Sequence, residues 1–357
     1  MGDQTRRLSP VEKAPRIFLY DNAKFLAILL VVIGHDIDII TEQSAEPYFT
    51  NALFTAIYGV HMPLFIFISG LFTKPMNRET KFPTYKVLSF FLIAIVLRIA
   101  ISLERLFLRG RAGYSILNMY DSFTWYLGAV AVFLVIVWIF RTFNKWAVLG
   151  IAFAVGCMAG YDSHLGDAFS LLRIAVFLPF FLLGYCFEPD KLLGIFQSKW
   201  FRLLGAALLI AYLVLCFTNP DFVINFRRLF TGRNRYTIFG PAAMWGGLLR
   251  MLAYAISLLA GFSVLAVLPN RNLGVITKTG TKTLQIYFWH RLMLYPLEVY
   301  GVYLLFEQGM GVVWAHILYI LIAPAVTALC AIPIFSFPTK QILMIGRKKP
   351  DPPPTES

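Results

Sequence analysis

Ten apolar runs separated by short polar or basic stretches dominate the chain, near 18–40, 50–72, 86–103, 124–140, 146–160, 169–187, 200–217, 242–268, 282–305 and 312–337. A hydrocarbon core about 30 Å thick is crossed by roughly 17 to 25 apolar residues in helical form. Lipid leaves backbone amides no partner outside a helix or a closed barrel. The pattern therefore predicts an all-α polytopic bundle of about ten transmembrane helices over 18–340. A polar segment over 1–17 and a short tail over 341–357 should both be cytoplasmic, the tail (RKKPDPPPTES) disordered.

The polar positions inside the runs carry more information than the apolar ones. In the first run, YDNAKFLAILLVVIGHDIDII, Asp21, Lys24 and His35 project from one side of a helix. Lys24 and His35 fall about 20° apart in rotation and roughly 16 Å apart in rise, with Asp21 about 60° to the other side of Lys24. A charge at bilayer depth costs a few kcal/mol or more unless it faces a bundle interior or a wet cavity, so this stripe is expected to line a site. The alternative is a snorkelling Lys24 and a structural His35 bonded to a neighbouring helix. Asp38 lies one turn beyond His35 and about 60° away, whereas Asp36 points about 100° aside. Either could support the imidazole, since the helix end can unwind there.

Other runs repeat the theme. His61 opens HMPLF ahead of FISG, where it reads as a helix-linking hydrogen bond or as a substrate contact, while Ser69 and Gly70 suit close helix packing. His290 and Arg291 are adjacent within IYFWHRL, with Tyr287 one turn earlier, and two basic groups at that depth should face a cavity. Arg173 should face the interior too, or pair with Asp162 or Asp167. Trp125 and Tyr126 read as interfacial anchors or as sugar-stacking platforms. The stretch TNPDFVINFRRLFTGRNRYTIFGPAAM mixes Arg227, Arg228, Arg233 and Arg235 with aromatics. That mixture fits an anionic glycan or lipid headgroup, or an amphipathic segment lying on acidic lipid.

Composition agrees with a membrane class: of 357 residues 58% are hydrophobic and 14% charged, and mean hydropathy is +0.68. The net charge of +13 would suggest a nucleic-acid partner in a soluble protein. With the N-terminus inside, however, most Lys and Arg fall in inner segments, and Arg105, Arg109, Arg111 and the four arginines of the 219–241 loop are the outward exceptions, so the surplus is mostly topology and no nucleic-acid partner is expected. No cleavage site precedes the first run, which should remain a helix. Cys157, Cys186, Cys216 and Cys330 all sit inside apolar runs without close spacing, so neither a disulfide framework nor a metal site is expected. No internal repeat, Walker loop or appended soluble domain is visible.

Five segments in order, DNAKFLAILLVVIGHD, HMPLFIFISGLF, TWYLGA, LLRIAVFLPFFLLGYCF and KTLQIYFWHRL, resemble the acyltransferase 3 family of integral membrane acyltransferases over about residues 16 to 340. The branch containing fucose O-acetylase-like sugar acetyltransferases is the nearest in pattern. The family's first-span signature is a basic residue, ten intervening positions and a histidine, filled here by Lys24 and His35, with lysine where many members have arginine. Lysine offers a point charge rather than a planar fork to phosphate. The resemblance implies transfer of an acyl group from cytoplasmic acyl-CoA, usually acetyl-CoA, to a hydroxyl of a sugar or glycan. That places the protein in the cell (inner) membrane as a multi-pass enzyme using acetyl-CoA as cosubstrate, with no permanently bound cofactor. Homo-oligomerisation is left open.

The chemistry of the residues fits that implication. A hydroxyl attacking a thioester must lose its proton, and a neutral imidazole is the usual acceptor, which makes His35 the candidate general base with Asp36 or Asp38 in support. Lys24, Arg173 and Arg291 are candidate acyl-CoA contacts, and His61, Trp125, Tyr287 and His290 candidate acceptor contacts. A proton-coupled secondary transporter, in which the same buried groups form a relay, is the alternative, although paired broken-helix repeats are lacking.

Overall fold

A computed structural model describes residues 16–43, 48–110, 124–162, 164–165 and 170–345, and every regular element among them is helical. Residues 1–15 of the expected N-terminal segment and 346–357 of the expected tail lie outside the described residues, as do Arg111 and Asp167. The helices are α1 (Phe18–Gln43), α2 (Tyr48–Tyr58), α3 (His61–Leu71), α4 (Thr84–Arg109), α5 (Trp125–Ile139), α6 (Lys145–Met158), α7 (Leu171–Cys186) and α8 (Pro189–Phe196). They are followed by α9 (Lys199–Thr218), α10 (Pro220–Phe230), α11 (Gly246–Val267), α12 (Val275–Thr279), α13 (Thr283–Val299), α14 (Val302–Met310), α15 (Val312–Cys330) and α16 (Thr339–Met344).

All ten apolar runs are helical, but they are not ten equal rods. Among the described residues five helical stretches are long and apolar enough to cross a membrane, or six if the sharply bent pair α7–α8 counts as one. α5 and α6 are shorter, and α1 is long but carries Asp21, Lys24, Asp36 and Asp38. The run at 282–305 is divided between α13 and α14 at Gly301, which adopts positive φ. At the other end, α16 crosses the expected boundary at 340 and packs on α4, where the Ser89 hydroxyl donates to Ile342 O.

Polarity is inverted relative to a water-soluble bundle. Leu88, Phe107, Ile151, Ile210 and Leu321 face outward, while Asp36, His61, Arg98, Arg173, Arg250, His290 and Arg291 are buried. An apolar outer surface around a polar interior is what a lipid solvent selects, because each charge outside that interior would meet hydrocarbon. The protein is a helical membrane protein.

α1 is the hub, touching α2, α3, α12, α13 and α15. Its neighbour α3 crosses α7 at backbone contact. A Cβ on Gly70 would lie 1.9 Å from Phe181 O, and one on Gly184 2.0 Å from Phe67 O. Two glycines on opposite helices thus set the approach, as small residues do where apolar area gives no drive for association. The packing role expected of Ser69 and Gly70 is the observed one, with the Ser69 hydroxyl also bonded to Phe65 O and to the Tyr126 hydroxyl.

Candidate functional site

The second apolar run breaks near its middle, and the break builds one wall of a cavity. α2 stops at Tyr58 and α3 starts at His61. Pro63 falls in the first turn of α3, where its missing N–H removes no intrahelical bond. Tyr212 of α9 reaches into the gap. Its hydroxyl donates to Thr55 O at 2.9 Å or Ala56 O at 3.2 Å. Gly59 is required there, since a Cβ would lie 2.1 Å from that hydroxyl. Lipid offers no substitute for these bonds, so the tyrosine serves as the cap of the break.

His61 emerges from this break with Nδ1–H donating to Ile57 O at 2.8 Å, which leaves Nε2 of the neutral ring as an acceptor. The bond stays within its own span rather than linking helices. Tyr58 meets His61 edge-on at 4.7 Å and stacks on Phe54 at 3.6 Å.

Both residues face a cavity of about 60 Å³. α1 contributes His35 and Asp38, α5 Trp125, α7 Arg173 and Phe177, and α13 Tyr287, while Phe230, Thr231 and Arg233 close the end farther from Lys24. The Arg173 guanidinium lies over the Trp125 ring at 5.2 Å. His290 stacks on His35 with centroids 5.3 Å apart. The His290 Nδ1–H donates to Ile286 O, and its buried Nε2 has no hydrogen-bond partner among the described residues.

Seven of the residues singled out from sequence therefore converge: His35, Asp38, His61, Trp125, Arg173, Arg233 and Tyr287, with His290 directly behind His35. The interfacial-anchor reading of Trp125 and Tyr126 is overturned, because both are buried and Tyr126 packs against Tyr287 inside the bundle. Asp36 is not on the cavity wall. It is fully buried, its carboxylate has no hydrogen-bond partner among the described residues, and it lies within electrostatic range of Arg291. Asp38 shares the wall with His35 and faces Arg227, with Nη2 to Oδ1 at 3.7 Å.

Two candidate donor contacts stand apart. Lys24 is held at the other end of α1 by Asp21, with Nζ to Oδ1 at 2.7 Å, and the same carboxylate accepts from Arg16 at 2.6 Å. Between Lys24 and His35 the fully buried Ala27 and Ile28 belong to the apolar core, so the stripe is polar at its ends and packed in its middle. Arg291 is paired with Glu298 at 2.6 Å and lies over the Tyr295 ring.

Phe54, Tyr58 and Phe177 were not singled out from sequence, whereas Phe230 is one of the aromatics of the arginine-rich stretch. Only Tyr58 carried a signal, a polar aromatic just before a glycine in mid-run. The arginine-rich stretch also differs from its reading as a segment lying on lipid. α10 is amphipathic, but Phe222, Phe226, Leu229 and Phe230 are buried against the protein, chiefly α2 and α9.

A family profile described as an acyltransferase domain, the acyltransferase 3 family, matches residues 19–336. The chain is also similar to the nodulation protein NolL of Sinorhizobium fredii, 34% identical over 67 residues, and to that of Mesorhizobium japonicum, 36% identical over 69 residues. Each match covers 19% of this chain and 18% of the relative, so the chain matches less than a fifth of the length of these curated relatives. No solved structure matches the chain.

Proposed function

The chain belongs to the acyltransferase 3 family, and from that premise we propose that it is an O-acyltransferase. In this reading it moves an acyl group, acetyl above all, from cytoplasmic acyl-CoA to a hydroxyl of a sugar or glycan. The observation that carries the reading is the meeting of His35, His61 and Arg173 on one cavity within a family whose chemistry is acyl transfer.

The hydroxyl oxygen of the acceptor attacks the thioester carbonyl while His35 takes its proton, so that a C–O bond forms as the carbonyl π pair moves to oxygen. Arg173 faces the same cavity and supplies positive charge where that oxyanion develops. Collapse expels the coenzyme A thiolate, which takes the proton back from the His35 imidazolium. The products are an ester and a free thiol, and no net proton is consumed. Asp38 lines the same wall, where its ion-pair partner is Arg227.

Lys24 and Arg16 share one carboxylate, Asp21, which leaves an excess positive charge at that end of α1 for the coenzyme's phosphates. A pantetheine arm running along α1 from there reaches His35 once the packing at Ala27 and Ile28 opens. Both termini are cytoplasmic in this scheme, and the protein is a multi-pass component of the cell (inner) membrane. The test is consumption of acetyl-CoA and appearance of an acetyl ester by full-length protein in nanodiscs. A protein that consumes no thioester with any sugar acceptor is not this enzyme, and that result would return the transporter reading.

A further inference from the structure

The cavity's charge is unbalanced at the end away from Lys24. Among the described residues Arg173 and Arg233 line it with one carboxylate, Asp38, and Asp38 is already faced by Arg227. Glu298, the next carboxylate in electrostatic range of Asp38, is held by Arg291 and Arg109. Arg228 and Arg235 are exposed on the same stretch of chain.

The loop that carries Arg233 is built to sit there. Gly232 has φ +68, and a Cβ on it would lie 2.6 Å from the Phe177 ring, so the chain can press onto the cavity wall only with glycine at that position. The Asn234 amide donates to Arg228 O and to the Thr231 hydroxyl, tying the loop to the end of α10. α10 is in turn fixed by its buried phenylalanines, so Arg233 is held over the opening rather than carried on a free loop.

We propose that this rim recognises an acidic group on the acceptor, so that the acceptor is a sugar bearing a carboxylate or phosphate near the reacting hydroxyl. The proposal rests on the acyltransferase reading for the word acceptor, but not for the anion site. Phosphates of the coenzyme are an unsuitable occupant if they sit at Lys24, because Asp38 lies fourteen residues farther along α1, about 21 Å away. A cavity of about 60 Å³ takes only the reacting edge of a sugar, leaving its substituents against Arg233 and its neighbours. Guanidinium forks bind carboxylate and phosphate in two-point fashion.

The test is calorimetric titration of the full-length protein in nanodiscs with methyl glucoside and methyl glucuronide, methyl galactoside and methyl galacturonide, and glucose 1-phosphate. At least one acidic sugar should bind about tenfold or more tightly than its neutral match, the scale of a charge-assisted contact. The uronides and the phosphate tell the two anions apart. Arg233→Gln and Gly232→Ala should each remove most of the preference, Arg235→Gln, outside the cavity, should keep it, and added salt should shrink it. Equal binding of every acidic and neutral pair would overturn the proposal, as would a preference untouched by both Arg233→Gln and Gly232→Ala. Acetyl transfer measured on the same samples separates the two readings. Acid preference without transfer supports the anion site and removes the enzyme, whereas equal transfer to acidic and neutral sugars does the reverse.

Discussion

A positioned general base contributes about 10² to 10⁴ in rate, so His35→Ala should lower acyl transfer by that factor while acyl-CoA binding stays within a few fold. Full turnover by a folded His35→Ala protein would remove the imidazole from the mechanism. Lys24 tests differently, because its partner is known: Asp21, a single carboxylate that it shares with Arg16. Lys24→Ala should raise KM for acyl-CoA several fold and Lys24→Arg should not, whereas Asp21→Asn should lower KM by freeing two cations for phosphate. A KM for acyl-CoA that moves in none of the three variants would mean that the donor is held elsewhere. These residues were legible in the sequence because helical periodicity alone puts Asp21, Lys24 and His35 on one side and separates Asp38 from Asp36. Phe54 and Phe177 were not, since an aromatic that lines a cavity and one that faces lipid look alike in an apolar run.

The break between α2 and α3 shows where local reading stops. Gly59, His61 and Pro63 mark an interruption in the sequence, but the group that caps it, Tyr212, is 157 residues from Thr55 and gave no sign of the role. Thr55 O keeps a second bond from Gly59 N–H, whereas Ala56 O accepts from the Tyr212 hydroxyl. Tyr212→Phe therefore strands chiefly one buried carbonyl, which costs about 1 to 3 kcal/mol. It should lower Tm and, by loosening the wall that holds Tyr58 and His61, reduce acyl transfer as well. An unchanged Tm together with full activity would show that the cap is dispensable. Gly184→Ala acts on a different contact, driving a methyl into Phe67 O, and overpacking of that kind costs about 1 to 3 kcal/mol. Its effect should appear mainly as lost stability, because the α3–α7 crossing is not part of the cavity wall.

Across the whole molecule, the all-helical class and the ten helical regions followed from run lengths and composition, because a bilayer sets both the length and the polarity of what crosses it. The packing partners did not follow, since lipid-facing and protein-facing apolar residues differ only in their neighbours. Sidedness is the property that most constrains the proposed chemistry, as donor and acceptor must reach His35 from opposite ends of the cavity if the coenzyme binds at Lys24. The distribution of Lys and Arg argues for cytoplasmic termini, with the Arg227–Arg235 stretch on the opposite side. Single cysteines at Lys81, Lys340 and Arg235, all exposed positions, test this in a protein whose native Cys157, Cys186, Cys216 and Cys330 are replaced by serine or alanine. In intact cells an impermeant maleimide should label the cysteine at 235 and leave those at 81 and 340 unmodified until the membrane is opened. Labelling at 340 but not at 235 would invert the topology, move the arginine rim to the cytoplasmic side and leave the donor, not the acceptor, as the anion that Arg233 meets.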